Sequence, residues 1–166
     1  MFSDEFWNNP GSTQVLTQKA IFGFGFTSSG YNSVTGITNL VSDSGVVASD
    51  TTGVGTGRRT LAASGYGEDK AIFGFGRIAD ASYTGITNLV SNSGVVASDV
   101  SGVGSARRNL AGTSYGGDKA IFGYGTTGSI TGITNLVNNS GVIASDVSGV
   151  GTTRDVLAAA GYSSAA

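Results

Sequence analysis

Carboxylates recur in this 166-residue chain at fixed places: Asp50, Asp99 and Asp146 each end an "ASD" triplet, and Asp69 and Asp118 each precede a lysine. A pair of carboxylates can work as general acid and base when their surroundings push the two pKa values apart at one place. These groups stand instead in near-identical local sequence, so they read as turn caps and hydrogen-bond partners of nearby arginines. The chain has no His and no Cys. That removes imidazole activation of a nucleophile, thiolate chemistry and the commonest metal-ligand set. "SDVSGVG" (98–104) gathers oxygens that suit Ca²⁺, but EF-hand spacing is absent. "GVGTGR" (53–58) lacks the third spaced glycine and the following amphipathic helix of a phosphate loop, and it reads as a turn between units. The expectation is a protein that is not an enzyme, with no catalytic residue, metal or cofactor.

The elements that carry these groups follow from an internal repeat. "TGITNL" opens at Thr35, Thr84 and Thr131, and Arg58, Arg107 and Arg154 repeat the same spacings of 49 and 47 residues. "KAIFG" opens at Lys19, Lys70 and Lys119. The drift comes from the stretch between these phrases: nine residues (26–34), then seven (77–83), then five (126–130). Within one unit, 107–116, 119–125, 133–139 and 141–147 have strand length and strand composition, separated by Gly, Asn, Asp and Ser. Four short strands per unit are expected. In "KAIFGFG" (70–76), alternation places Ala71, Phe73 and Phe75 on one face and Ile72, Gly74 and Gly76 on the other. Neither face carries charge, so the sheet must be covered on both sides.

Composition agrees with a folded all-β chain. Leu, Ile, Val and Phe fill 40 positions, while only 12% of residues are charged and 28 are Gly. The net charge of −2 and the isolation of the pairs Arg58-Arg59 and Arg107-Arg108 exclude a nucleic-acid footprint, which needs several cations on one face. No apolar run approaches the roughly 20 residues of a membrane span, so no membrane insertion is expected. "MFSDEFWNNP" (1–10) has an acidic flank and no apolar h-region, so no signal peptide is expected. Arg58, Arg107 and Arg154 read either as structural ion-pair and hydrogen-bond partners or as a clamp for an anion.

A period near 50 with four strands per unit matches kelch-type propeller blades. "RRTLAASGYGEDKAIFGFG" (58–76) resembles a kelch repeat: an Arg-containing strand, then an apolar strand ending in glycines. It differs in that an aromatic separates the glycines and no Trp closes the fourth strand. The resemblance covers 19–162, and "DKAIFGYG" (118–125) is also similar to repeats in tail-fibre-like proteins of marine bacteriophages. The expectation is therefore an all-β chain of four-stranded, kelch-like β-propeller blades, three per chain, with a β-trefoil or β-prism closed within one chain as the alternative.

Three blades cannot close a ring of the usual four to eight. "RDVLAAAGY" (154–162) is a further Arg strand without its "DKAIFG" partner, and the first "KAIFGFG" (19–25) has no Arg strand ahead of it. The expected solution is a homodimer forming a six-bladed ring, in which Arg154, Val156, Leu157 and Tyr162 complete a blade of the partner chain. The chain then divides into an N-terminal docking arm (1–18), three blade repeats (19–153) and the blade-closing strand (154–166).

Two features leave the repeat. The variable loops carry Tyr31, Asn32, Arg77, Asp80 and Tyr83, candidates for ligand binding because loops on a rigid scaffold carry recognition. The arm holds Phe2, Phe6 and Trp7, candidates for docking onto other virion proteins, since aromatic side chains are enriched at interfaces. Packing back on the chain's own ring is the alternative for the arm. The resemblance implies a structural or host-recognition component of a virus particle, associated with a phage tail or fibre, with a host-surface glycan as a possible partner. A carbohydrate-binding lectin module with repeated sites is the alternative.

Overall fold

The computed structural model describes residues 18–28 and 32–163. Its regular elements are all strands: β1 (Ala20–Phe26), β2 (Val34–Val41), β3 (Ala62–Tyr66), β4 (Lys70–Gly74), β5 (Thr87–Val90), β6 (Ala111–Tyr115), β7 (Lys119–Gly123) and β8 (Thr134–Val137). They form three small antiparallel sheets, ordered β1-β2, β3-β4-β5 and β6-β7-β8. The all-β class is observed, and no helix among the described residues is long and apolar enough to cross a membrane. Tight hairpins join β3 to β4 and β6 to β7. The second begins with Gly116 and Gly117 at φ 61° and 84°, the left-handed region that glycine enters without strain.

The fourth expected strand of each unit is reduced to two single bridges. In the third unit these are Val137–Ile143 and Thr134–Val147. Between them a side chain replaces the backbone ladder: Asn135 Nδ2 donates to the Ala144 carbonyl at 3.1 Å and to Asp146 Oδ1 at 3.0 Å. Asn88 does the same with Ala97 and Asp99, and Asn39 with Ala48 and Asp50. An amide side chain offers the donor that a strand would otherwise supply.

The core lies between sheets. Phe73, Val90 and Val96 of the second sheet pack with Phe24 of the first, while Ile72, Tyr66 and Ala62 pack with Phe122, Val137 and Ile143 of the third. The second sheet is thus covered on both faces, as its uncharged strand requires. Alternation fails at one residue: Phe75 joins Ile72 on the face toward the third sheet, not Phe73. The reason is local. Phe75 has φ 64° and Gly76 φ 106°, so the backbone turns over at the "GFG" step and swings the ring across. Phe24 and Tyr124 repeat this at φ 64° and 63°.

Glycine at "TGIT" and "GVG" has a steric reason. A Cβ on Gly102 would lie 2.0 Å from the Gly85 carbonyl oxygen, and on Gly149 1.9 Å from that of Gly132. The reverse substitution is roomier, since a Cβ on Gly85 meets nothing closer than 3.4 Å. Gly102→Ala should therefore cost about 1–3 kcal/mol as an overpacking change, and Gly85→Ala distinctly less, read by urea denaturation. Equal losses would contradict the close approach.

Candidate functional site

Each junction between units is built around one arginine. Arg58 and Arg107 are fully buried although charged. Arg58 lies over the Phe24 ring at 4.4 Å and Arg107 over Phe75 at 4.3 Å, each ring belonging to the preceding unit. The backbone follows the same line: Gly25 N donates to the Arg58 carbonyl at 2.7 Å and Gly76 N to that of Arg107 at 2.9 Å. Arg154 completes the series over Tyr124 at 4.2 Å, with Gly125 N donating to its carbonyl at 3.1 Å. The aromatic that turns over in one unit is thus the platform for the arginine of the next.

Within its own unit the guanidinium is held by polar partners. Arg58 Nη2 donates to Asn88 Oδ1 at 2.5 Å, and Nη1 lies 3.6 Å from Asp99 Oδ1. Arg107 donates from Nε to the Tyr124 carbonyl at 3.0 Å and from Nη1 to the Ser105 carbonyl at 3.2 Å. Burial pushes both guanidinium pKa values down to about 10, opposed by the charges of Asp99 and Asp146. Both therefore stay charged at neutral pH. The structural reading of Arg58 and Arg107 is the one their surroundings match.

The repeated carboxylates serve loops. Asp99 accepts hydrogen bonds from Thr56 N at 3.0 Å, Thr56 Oγ1 at 2.7 Å and Asn88 Nδ2 at 2.9 Å. Asp146 accepts the corresponding set from Ser105 and Asn135. Partial burial disfavours both carboxylates, but these hydrogen bonds together outweigh it and hold both pKa values below the ordinary range. Asp69 and Asp118 pair with the lysines that follow them, at 2.5 and 2.7 Å, and accept from Asn92 and Asn139. Among the described residues, no three of Asp, Glu, His and Cys gather closely enough to hold a metal ion.

The candidate recognition residues fall in different places. Tyr31 and the aromatic arm of Phe2, Phe6 and Trp7 lie outside the described residues. Asn32 is exposed in a turn, and Asp80 accepts from Ser82 N at 2.8 Å, capping its own loop. Arg77 and Tyr83 come together as an isolated bridge, and Arg77 also bridges Arg59. Arg59, Arg77 and Arg108 line one cavity of about 640 Å³ with Gly25, Phe26 and Thr60. Sequence reasoning set the Arg-Arg pairs aside as isolated. Their second members converge with Arg77 only through the stacking of units.

Arg154, Val156, Leu157 and Tyr162 lie on a segment that joins no sheet. It runs beside β6 in this chain: Val156 N donates to the Asn109 carbonyl just ahead of that strand at 2.9 Å, and a Cβ on Gly161 would lie 2.8 Å from the Ser114 carbonyl oxygen within it. Val156 and Tyr162 are exposed, and Leu157 is half-buried.

The lowered aspartate pKa values fix the direction of a pH dependence. A carboxylate with a folded pKa below its unfolded value of about 4 contributes stability that is complete above the unfolded value and lost as pH falls through the folded one. Asp99→Asn should therefore melt below the parent protein at pH 7, and the difference should shrink as pH falls below about 4. A gap independent of pH, in melting followed by circular dichroism, would contradict the assignment.

No protein-family model matches the chain, and no curated protein matches it in sequence.

Proposed function

We propose that the chain is a non-enzymatic structural or host-recognition component of a virus particle, of the phage tail or fibre type, that works by self-association. Two copies close a kelch-like propeller of six blades. The observation that carries this reading is the contrast between inner and outer faces of the same repeat. Phe22 is 62% exposed, whereas its counterpart Phe73 is 4% exposed against the preceding sheet. On the opposite end face Tyr115 is 40% exposed, whereas its counterpart Tyr66 is 4% exposed against the following sheet. The two end faces are therefore the two halves of an interface the chain already forms twice internally.

A groove supports the same occupant. A cavity of about 960 Å³ opens beside β1, lined by Lys19, Ala20 and Ile21 on one side and Ala63, Ser64 and Gly65 of β3 on the other. It is flanked as an Arg strand of the first unit would be. The segment 154–162 of a second copy is of that kind, and in its own chain it already lies beside the equivalent strand β6. An unpaired strand edge favours such an addition. The virus-particle part of the proposal is supported by the resemblance of the repeats alone.

Light scattering should give twice the chain mass of 16.5 kDa, unchanged on dilution through the micromolar range. Phe22→Ser and Tyr115→Ser should each weaken association, and mixing the two should partly restore it, because one intact junction remains between unlike copies. A monomeric parent protein, or a mass that keeps rising with concentration, would overturn the closed dimer.

A further inference from the structure

We propose that the junction between two copies of the chain is closed by a polar latch, in which Thr152 and Arg154 of one copy engage Asp50 and Asn39 of the other. The inference rests on the self-association proposed above and names the contacts that give it register and direction.

The pattern comes from the two junctions that the chain forms within itself. Asp99 accepts from Thr56 N at 3.0 Å and Thr56 Oγ1 at 2.7 Å, and Asp146 accepts from Ser105 N at 3.1 Å and Ser105 Oγ at 2.6 Å. Each time, the hydroxyl residue two positions ahead of the buried arginine is held by the aspartate of the arginine's own unit. At the first junction that unit also supplies an amide, since Arg58 Nη2 donates to Asn88 Oδ1 at 2.5 Å.

Both halves of this arrangement recur at the ends, apart from each other. Thr152 and Arg154 follow Ser105 and Arg107 at the spacing of the repeat, and Arg154 already stacks on Tyr124 at 4.2 Å. Both are exposed, and among the described residues the guanidinium donates to the Thr152 carbonyl at 3.2 Å and to no side chain. Asp50 and Asn39 are the first unit's counterparts of Asp99 and Asn88. Asn39 Nδ2 donates to the Ala48 carbonyl at 3.1 Å and to Asp50 Oδ1 at 2.8 Å, which leaves Asn39 Oδ1 as an acceptor. Asp50 is exposed, and among the described residues it accepts from Asn39 and from no hydroxyl.

Burial turns this complementarity into a requirement. Arg58 and Arg107 are fully buried in their junctions. A copy seated on 154–162 in the same way takes Arg154 out of water, and a guanidinium buried without acceptors is costly. Asn39 and Asp50 are what the first unit carries at the matching place. The segment is already in position: a Cβ on Gly161 would lie 2.8 Å from the Ser114 carbonyl oxygen, as one on Gly112 of β6 would lie 2.8 Å from that of Ala63 in β3. It holds the place of the next arginine strand, and β1 of a second copy supplies its neighbour. In the register of β3 on β4, which pairs Tyr66 with Lys70 and Ala62 with Gly74, Tyr162 meets Lys19 and Ala158 meets Gly23 of that copy.

Fluorescence-detected sedimentation velocity on the full chain, from nanomolar to micromolar, reads the dissociation constant. Asp50→Lys and Arg154→Glu should each raise it about tenfold or more, the effect of a lost charge-assisted hydrogen bond, because each variant alone sets like charges against each other at every junction. An equimolar mixture of the two should associate as the parent does, since unlike copies form one native junction and one with the charges exchanged. Thr152→Val, which removes the hydroxyl and keeps the charges, should raise the constant about threefold. Asp80→Lys, the same charge change on a loop of the second unit, should leave it unchanged, and every variant should keep the parent's circular-dichroism spectrum. Unchanged association in the Asp50, Thr152 and Arg154 variants, a mixture no tighter than either variant alone, or an equal effect of Asp80→Lys would overturn the latch and leave the association standing. A parent protein that stays monomeric would overturn both.

Discussion

The stack depends on a buried arginine resting on an aromatic ring that the preceding unit turns toward it. A bulky residue at positive φ carries a strain of about 1–3 kcal/mol, and Phe24, Phe75 and Tyr124 all sit there. The strain is offset by what the turn brings together. The flanking glycine amide reaches the arginine carbonyl of the next unit, and at the two inner junctions the ring receives a buried guanidinium at 4.3 to 4.4 Å, whereas Arg154, over Tyr124, is exposed. A desolvated cation–π contact is worth about 2 kcal/mol, and it satisfies one face of a charge that is otherwise expensive to bury. Asn88 and Asp99 hold other groups of Arg58, and the Tyr124 and Ser105 carbonyls hold those of Arg107, so the junction also fixes the loops that lead into each strand.

Much of this fold is legible in the sequence because the chain states it repeatedly. The spacing of "TGITNL" and of the arginines sets the unit, the Gly and Asn clusters set the turns, and the uncharged strand "KAIFG" demands cover on both faces. Strict alternation misplaces Phe75, because a period of two assumes extended backbone throughout and an aromatic between two glycines gives little local warning of a left-handed step. The recurrence of that aromatic three residues after Ile72 and its counterparts is the available signal. The fourth strand is overstated for a related reason: composition marks 141–147 as strand, whereas Asn135 takes over the hydrogen bonds between two bridges.

The site was less legible than the fold. Arg77 and Tyr83 stand out because they leave the repeat, but Arg59 and Arg108 look like duplicates of structural arginines. Their convergence is a property of stacking, which places residues 49 positions apart around one cavity. The same stacking buries Phe73 and Tyr66 but leaves their counterparts Phe22 and Tyr115 exposed. The proposed association follows from a geometry in which repeats are alike in their joints and differ in their loops.

The aromatic and the arginine act as a pair across the junction. A double-mutant cycle with Phe75→Leu and Arg107→Met, read by urea denaturation, measures that pairing directly. A coupling of about 1–2 kcal/mol is the predicted result. Strictly additive losses would mean that the ring and the guanidinium are neighbours without being partners, and the account of the junction would fail.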